Sequence, residues 1–145
     1  MNTDFTFFLN PKKERPDFRL VITWLWNDLQ NVDTEGNSYN PASKEWTELY
    51  IVNRENKNEK IDIYPITENP LLLEISATTK ELSYKLVYFL SEQTEGDIFM
   101  EKEMNNIISK TEILNHIDSK WLEDAKKRID NSIWKNITLE NPYPS

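Results

Sequence analysis

Cysteine is absent from the chain, and with it go disulfides, thiolate catalysis and cysteine-ligated zinc or iron–sulfur sites. A chain of 145 residues needs no such staple, because one domain of that length buries roughly 70% of the surface its unfolded form exposes. The lack of cysteine fits a reducing compartment. Glycine is nearly as scarce: only Gly36 and Gly96 occur, where average usage gives roughly ten. Loops that cradle phosphate need glycine so that backbone amides can approach the ligand. Neither a GxGxxG nor a GxxxxGKS/T loop can be assembled, which excludes the nucleotide-binding folds built on them.

Long apolar runs are missing as well. The longest apolar-rich stretch is Leu20 to Trp26, interrupted by Thr23, far short of the ~20 residues of a membrane-spanning helix. The start, MNTDFTFFLNPKK, carries an acid before a short apolar patch and soon reaches Pro11, unlike a secretory signal with its basic start. A cytoplasmic protein with no membrane association is expected, and the sequon Asn136-Ile137-Thr138 is then idle.

Positive charge is the next shortage. The net charge is −8, and it is unevenly spread. Residues 28–97 hold fourteen acids and six bases, whereas the flanking segments nearly balance. An acidic surface disfavours nucleic acid, whose phosphates must be met by Lys and Arg. It favours a basic partner and speeds encounter with it.

The chain reads as a single α+β domain over residues 1–145, with a mainly N-terminal sheet of four to six strands. TDFTFFL, Thr3 to Leu9, is the first expected strand. Phe18 to Trp26 fits two periods. Phe18, Leu20, Ile22, Trp24 and Trp26 share a face at period two, and Phe18, Val21, Ile22, Leu25, Leu29 and Val32 make a stripe at period 3.6. The β-branched run Val21-Ile22-Thr23 and the paired tryptophans favour a strand. Asn27 to Lys44 lacks periodicity and reads as a long loop. WTELYIV and IDIYPI form a hairpin, and LLLEIS is a further strand.

Thr78-Thr79-Lys80-Glu81 has the form of a capping box opening a helix, and Gly96 stands where a left-handed C-terminal residue is wanted. DIFME then completes a strand–helix–strand unit over residues 71–101. C-terminal helices cover one face: one from Met104 to near His116, another capped by Asp118 or Ser119 with a stripe running to Ile137. The tail LENPYPS is expected to be loose.

Catalytic sets fail one by one. His116 is the single histidine, and no second histidine or cysteine supports a metal set. Asp62 and Glu74 have the spacing of a metal-dependent nuclease pair on neighbouring strands, but Ser76 stands where lysine belongs. Asn31, Asp33, Glu35 and Gly36 imitate half a calcium loop, which Ser38 and Ala42 then break. No serine has a neighbouring glycine, and no spacing singles out a pair of glycosidase carboxylates. No catalytic residue, cofactor or metal is therefore assigned.

What remains is acid and aromatic surface. Five Trp, six Tyr and six Phe exceed what a core of this size needs, and Trp and Tyr anchor protein interfaces. Trp24 is read as core and Trp26 as the rim of a binding surface. Tyr84 and Tyr88 are read as packing on a later helix, with an exposed aromatic pair as the alternative. The expectation is a non-catalytic protein-binding module of bacterial immunity or inhibitor type, resembling such proteins in general character only, that neutralises a basic toxin. Asp28, Asp33, Glu35, Glu45 and Glu48 would steer the partner, with Trp26 and Tyr39 as anchors. The alternatives are a small-molecule-binding or regulatory domain with a pocket between sheet and helices, and a homo-oligomeric structural subunit.

Overall fold

The computed structural model describes residues 5–40 and 42–144. In chain order the elements are β1 (Phe5–Asn10), α1 (Phe18–Leu25), β2 (Val32–Gly36), β3 (Leu49–Asn53), β4 (Lys60–Glu68) and β5 (Leu71–Ala77). There follow α2 (Lys80–Thr94), β6 (Asp97–Phe99), β7 (Ile107–Ile108), α3 (Lys110–Leu114) and α4 (Ser119–Asp130). This is the expected α+β architecture, with more strands than the four to six anticipated. Seven strands form one sheet in the order β2-β3-β4-β5-β1-β6-β7, and every neighbouring pair is antiparallel. The β5–α2–β6 unit is present, but β1 lies between its two strands and pairs with both. Thr3 and Asp4, the start of the first expected strand, lie outside the described residues.

Alternation divides the sheet into two faces. Phe7 pairs with Ile75 and Ile75 with Ile63, while Ile51 pairs with Ile61 and Ile61 with Ala77. Leu9, opposite Leu73 and Ile98, extends the same apolar face. These residues are buried with Leu82, Leu86 and Leu90 of α2 and with Val21, Ile22 and Leu25 of α1. The helices lie on this side, and among the described residues no helix packs on the other face. No helix is long and apolar enough to cross a membrane among those residues.

Residues 18–26 are a correction: Phe18–Leu25 form a helix with Trp26 as its C-cap, not a strand. Asp17 caps it by accepting from the Arg19 amide at 3.0 Å. The β-branched run costs little because Val21, Ile22, Thr23, Trp24 and Leu25 are all buried between α2 and α4, so packing overrides propensity. Trp24 is core, as expected. Tyr88 stacks on it with ring centroids 6.1 Å apart, and Tyr84 meets the Phe7 ring edge-on, so neither tyrosine forms an exposed pair.

Five boundaries also differ from expectation. The loop after α1 contains β2, where Gly36 is needed because a Cβ there would lie 2.2 Å from the Glu48 carbonyl oxygen. Thr79, not Thr78, caps α2 by accepting from the Leu82 amide; the Thr78 hydroxyl instead accepts from the Lys60 amide. Glu95 takes the left-handed conformation at the helix end, and Gly96 serves the close approach of Asn10, whose carbonyl oxygen would be 2.6 Å from a Cβ. The stretch from Met104 to His116 is not one helix but β7 and the short α3, and α4 ends at Asp130.

The segment after α4 is tied down, and the tail expected to be loose is held by Arg19 at Pro142 and Tyr143. Asp28 accepts from the Thr23 and Ser132 hydroxyls at 2.7 and 2.6 Å and from the Ile133 amide at 3.0 Å. Burial pushes the Asp28 carboxyl up, but these three hydrogen bonds together hold it below the usual carboxylate range. Further along, the Arg19 guanidinium sits 4.3 Å from the Trp134 ring and donates to the Pro142 carbonyl at 2.7 Å.

Candidate functional site

Register builds the site from the strands upward. On the sheet face away from the helices, one row across four strands reads Glu35, Tyr50, Asp62, Ser76 and, on β1, Thr6. The next row reads Tyr64, Glu74, Phe8, Phe99 and Ile107. Glu48 precedes β3 and accepts from the Tyr50 hydroxyl at 3.4 Å, while the Tyr64 hydroxyl donates to Glu74. Carboxylates therefore alternate with phenols over β2 to β5. A third row, Asp33, Val52 and Lys60, supplies the sole base that the register places on this face in β2 to β5.

The tyrosines register the negative field. The hydrogen bond to Glu74 is the main cause that pushes the Tyr64 hydroxyl up to about 12, followed by burial and by the charges of Glu74 and Asp62. Burial first, then Glu48 and Asp62, also raises Tyr50. Asp62 itself is half-buried and receives no hydrogen bond or ion pair among the described residues. Towards β7 the face turns apolar, with Phe8 half-buried and Ile107 exposed.

An alkaline titration checks this arrangement. Tyr64 has its folded value above the ordinary 10.0, so its contribution to stability is complete below about pH 10 and is lost as pH rises through about 12. Tyrosinate absorbance is expected to show a group titrating at about 12 that moves back towards 10 in Glu74→Gln. A titration curve unchanged by that substitution would contradict the geometry.

Of the seven residues expected to bind a partner, Glu35 and Glu48 fall in this array. Asp33 lies one row away, paired with Arg54. Tyr39, 94% exposed, and the exposed Glu45 lie on the connection between β2 and β3. Two residues have work inside the fold: Asp28 anchors the segment that follows α4, and the half-buried Trp26 donates its indole N–H to Glu59 at 2.9 Å. Tyr50, Asp62, Tyr64 and Glu74 were not among the seven. The signal for them is in the sequence, since each alternates with the apolar residues of LYIV, IDIY and LLLEIS.

The other constellations read as structure. Asp33 and Glu35 lie in extended β2, which cannot wrap a calcium ion. His116 is exposed and stacks on Tyr84 with ring centroids 4.3 Å apart. Among the described residues no group of three His, Asp or Glu could hold a metal ion. A shallow cleft of about 200 Å³ beside the array is lined by Phe18, Thr34, Glu35, Ser38 and Glu48. The fold and this face together define an acidic α+β domain in which no helix among the described residues packs on one side of the sheet. Compared with known proteins, the chain matches no family model, no curated protein and no solved structure.

Proposed function

We propose that the chain is a non-catalytic protein-binding module, an immunity- or inhibitor-type protein that neutralises a basic partner such as a bacterial toxin in the cytoplasm. One observation carries this reading: a sheet face free of helices among the described residues, on which Glu35, Glu48, Asp62 and Glu74 surround Tyr50 and Tyr64, with Lys60 the one base in the register of β2 to β5. Such a face steers and holds a cationic surface, and its aromatics add contact that salt does not screen. A small-molecule pocket between sheet and helices has less to recommend it. That space is filled by Leu9, Ile63, Ile75, Leu86 and Leu90, all fully buried.

The test is capture of partners from the native host at low and at physiological salt, followed by mass spectrometry. A single basic protein is expected, retained near stoichiometry and lost in the triple variant Glu35→Gln, Glu48→Gln, Asp62→Asn. The captured protein's own activity should be blocked by the wild-type chain. Retention that ignores both salt and the triple variant would remove the acidic face from the mechanism.

A further inference from the structure

We infer that the group taken by this sheet face is an arginine side chain of the partner, seated among Tyr50, Asp62, Tyr64 and Glu74. This rests on the reading of a basic protein partner and names where and how that partner is gripped. On β4, Asp62 and Tyr64 are two residues apart and point to the same side, about 7 Å from one another along the strand. Tyr50 lies directly opposite Asp62, and Glu74 directly opposite Tyr64, each on a neighbouring strand about 5 Å away. Two carboxylates and two phenol rings thus share a patch only a few residues wide.

That combination suits a guanidinium better than an ammonium. A guanidinium is planar, stacks on aromatic faces and presents a fork of donors to carboxylates; an ammonium is compact and strongly hydrated. The acceptors are available. Asp62 accepts nothing from the described residues, and Glu74 accepts from the Tyr64 hydroxyl alone, where a carboxylate has about four lone-pair sites. The rings are also held in place, because both hydroxyls are tethered, to Glu48 and to Glu74. All four side chains are half-buried, so an incoming cation is partly stripped of water and attracted more strongly than at a fully exposed site. Beyond them Phe8 and Ile107 continue the face as apolar surface for the partner's flanking residues.

The probes are two labelled peptides of equal length, one alternating Arg-Gly and one alternating Lys-Gly, titrated by fluorescence anisotropy at low and at physiological salt. The arginine peptide is expected to bind at least about fivefold tighter than the lysine peptide. Asp62→Asn and Glu74→Gln should each weaken it about fivefold or more. Asp124→Asn, an exposed acid of α4, should leave it unchanged. Circular dichroism of the near-isosteric variants shows that the fold is intact. Equal binding of both peptides, with equal losses in the variants, would overturn the arginine site while leaving the basic-partner reading standing. Arginine binding indifferent to Asp62→Asn and Glu74→Gln would overturn the location. Failure of the wider reading looks different: neither peptide binds even at low salt, and the arginine site falls with it.

Discussion

Trp24→Ala is expected to be among the most destabilising single substitutions in the chain, at about 3–5 kcal/mol. Trp24 is 3% exposed and stands where α1, α2 and α4 meet. Its ring stacks on Phe89 with centroids 4.9 Å apart and meets the Trp121 ring edge-on at 5.3 Å. Its indole N–H donates to the Lys85 carbonyl at 2.8 Å. Alanine would delete the shared partner of three aromatic contacts and leave a cavity that helices pinned to the sheet cannot close. Trp24→Phe keeps most of the stacking and loses the hydrogen bond, so a loss of about 1–2 kcal/mol is expected. Urea denaturation measures both. For alanine the melting temperature should fall by on the order of 10 °C. An alanine variant within 1 kcal/mol of wild type would mean that the three helices do not depend on this residue.

The same tryptophan shows why the sequence misleads at residues 18–26. Both a strand and a helix find an apolar side there, Phe18 and Ile22 being common to the two, and the β-branched run tips the balance the wrong way. In the fold, α1 is buried on most of its circumference, with Arg19, Val21, Ile22, Thr23, Trp24 and Leu25 all inside. A helix enclosed on that many sides has no polar face to reveal its period. The usable signal is one residue earlier: Asp17, after Pro16, is a good N-cap type and performs that task.

Elements with a one-sided burial pattern were legible, and elements without one were not. β3 and the first half of β4 alternate buried and half-buried residues, so their apolar letters alternate too, and β5 is a short apolar run broken by Glu74. β2 is an edge strand with four of five residues exposed, and nothing in VDTEG separates it from a loop. β7 is two residues long. The candidate face follows the same logic. Glu35 and Glu48 stand out by charge alone, whereas Asp62 and Glu74 gain meaning only when register sets them beside Tyr50 and Tyr64. Spacing gave the nuclease pair, and the opposed Ser76 leaves it without its lysine. Asp28 fails as a surface acid for a reason beyond local pattern: its hydrogen-bond partner Ser132 lies 104 residues away.

Arg19→Met is expected to cost about as much as Trp24→Ala, roughly 3–5 kcal/mol, and to act on a different part of the molecule. Arg19 and Asp17 are both buried and joined by a forked pair, with Nε 3.0 Å from Asp17 Oδ1 and Nη2 2.6 Å from Oδ2. The same guanidinium lies over the Trp134 ring, reaches Tyr143 at 5.6 Å and donates to the Pro142 carbonyl. Removing it leaves the Asp17 carboxylate buried without its counter-charge and releases the end of the tail together. Arg19→Lys restores charge but not the fork or the stacking, so it should recover only part of the loss. Asp17→Asn with Arg19→Met should be less destabilised than Arg19→Met alone, because the uncompensated buried charge is gone. Hydrogen exchange separates the two effects. Amides after Trp134 should lose protection in the single and double variants alike, while Ile133 and Trp134, held by Asp28 and Ser132, keep theirs. Tail protection that survives Arg19→Met would show that Asp28 alone fastens the C-terminal arm.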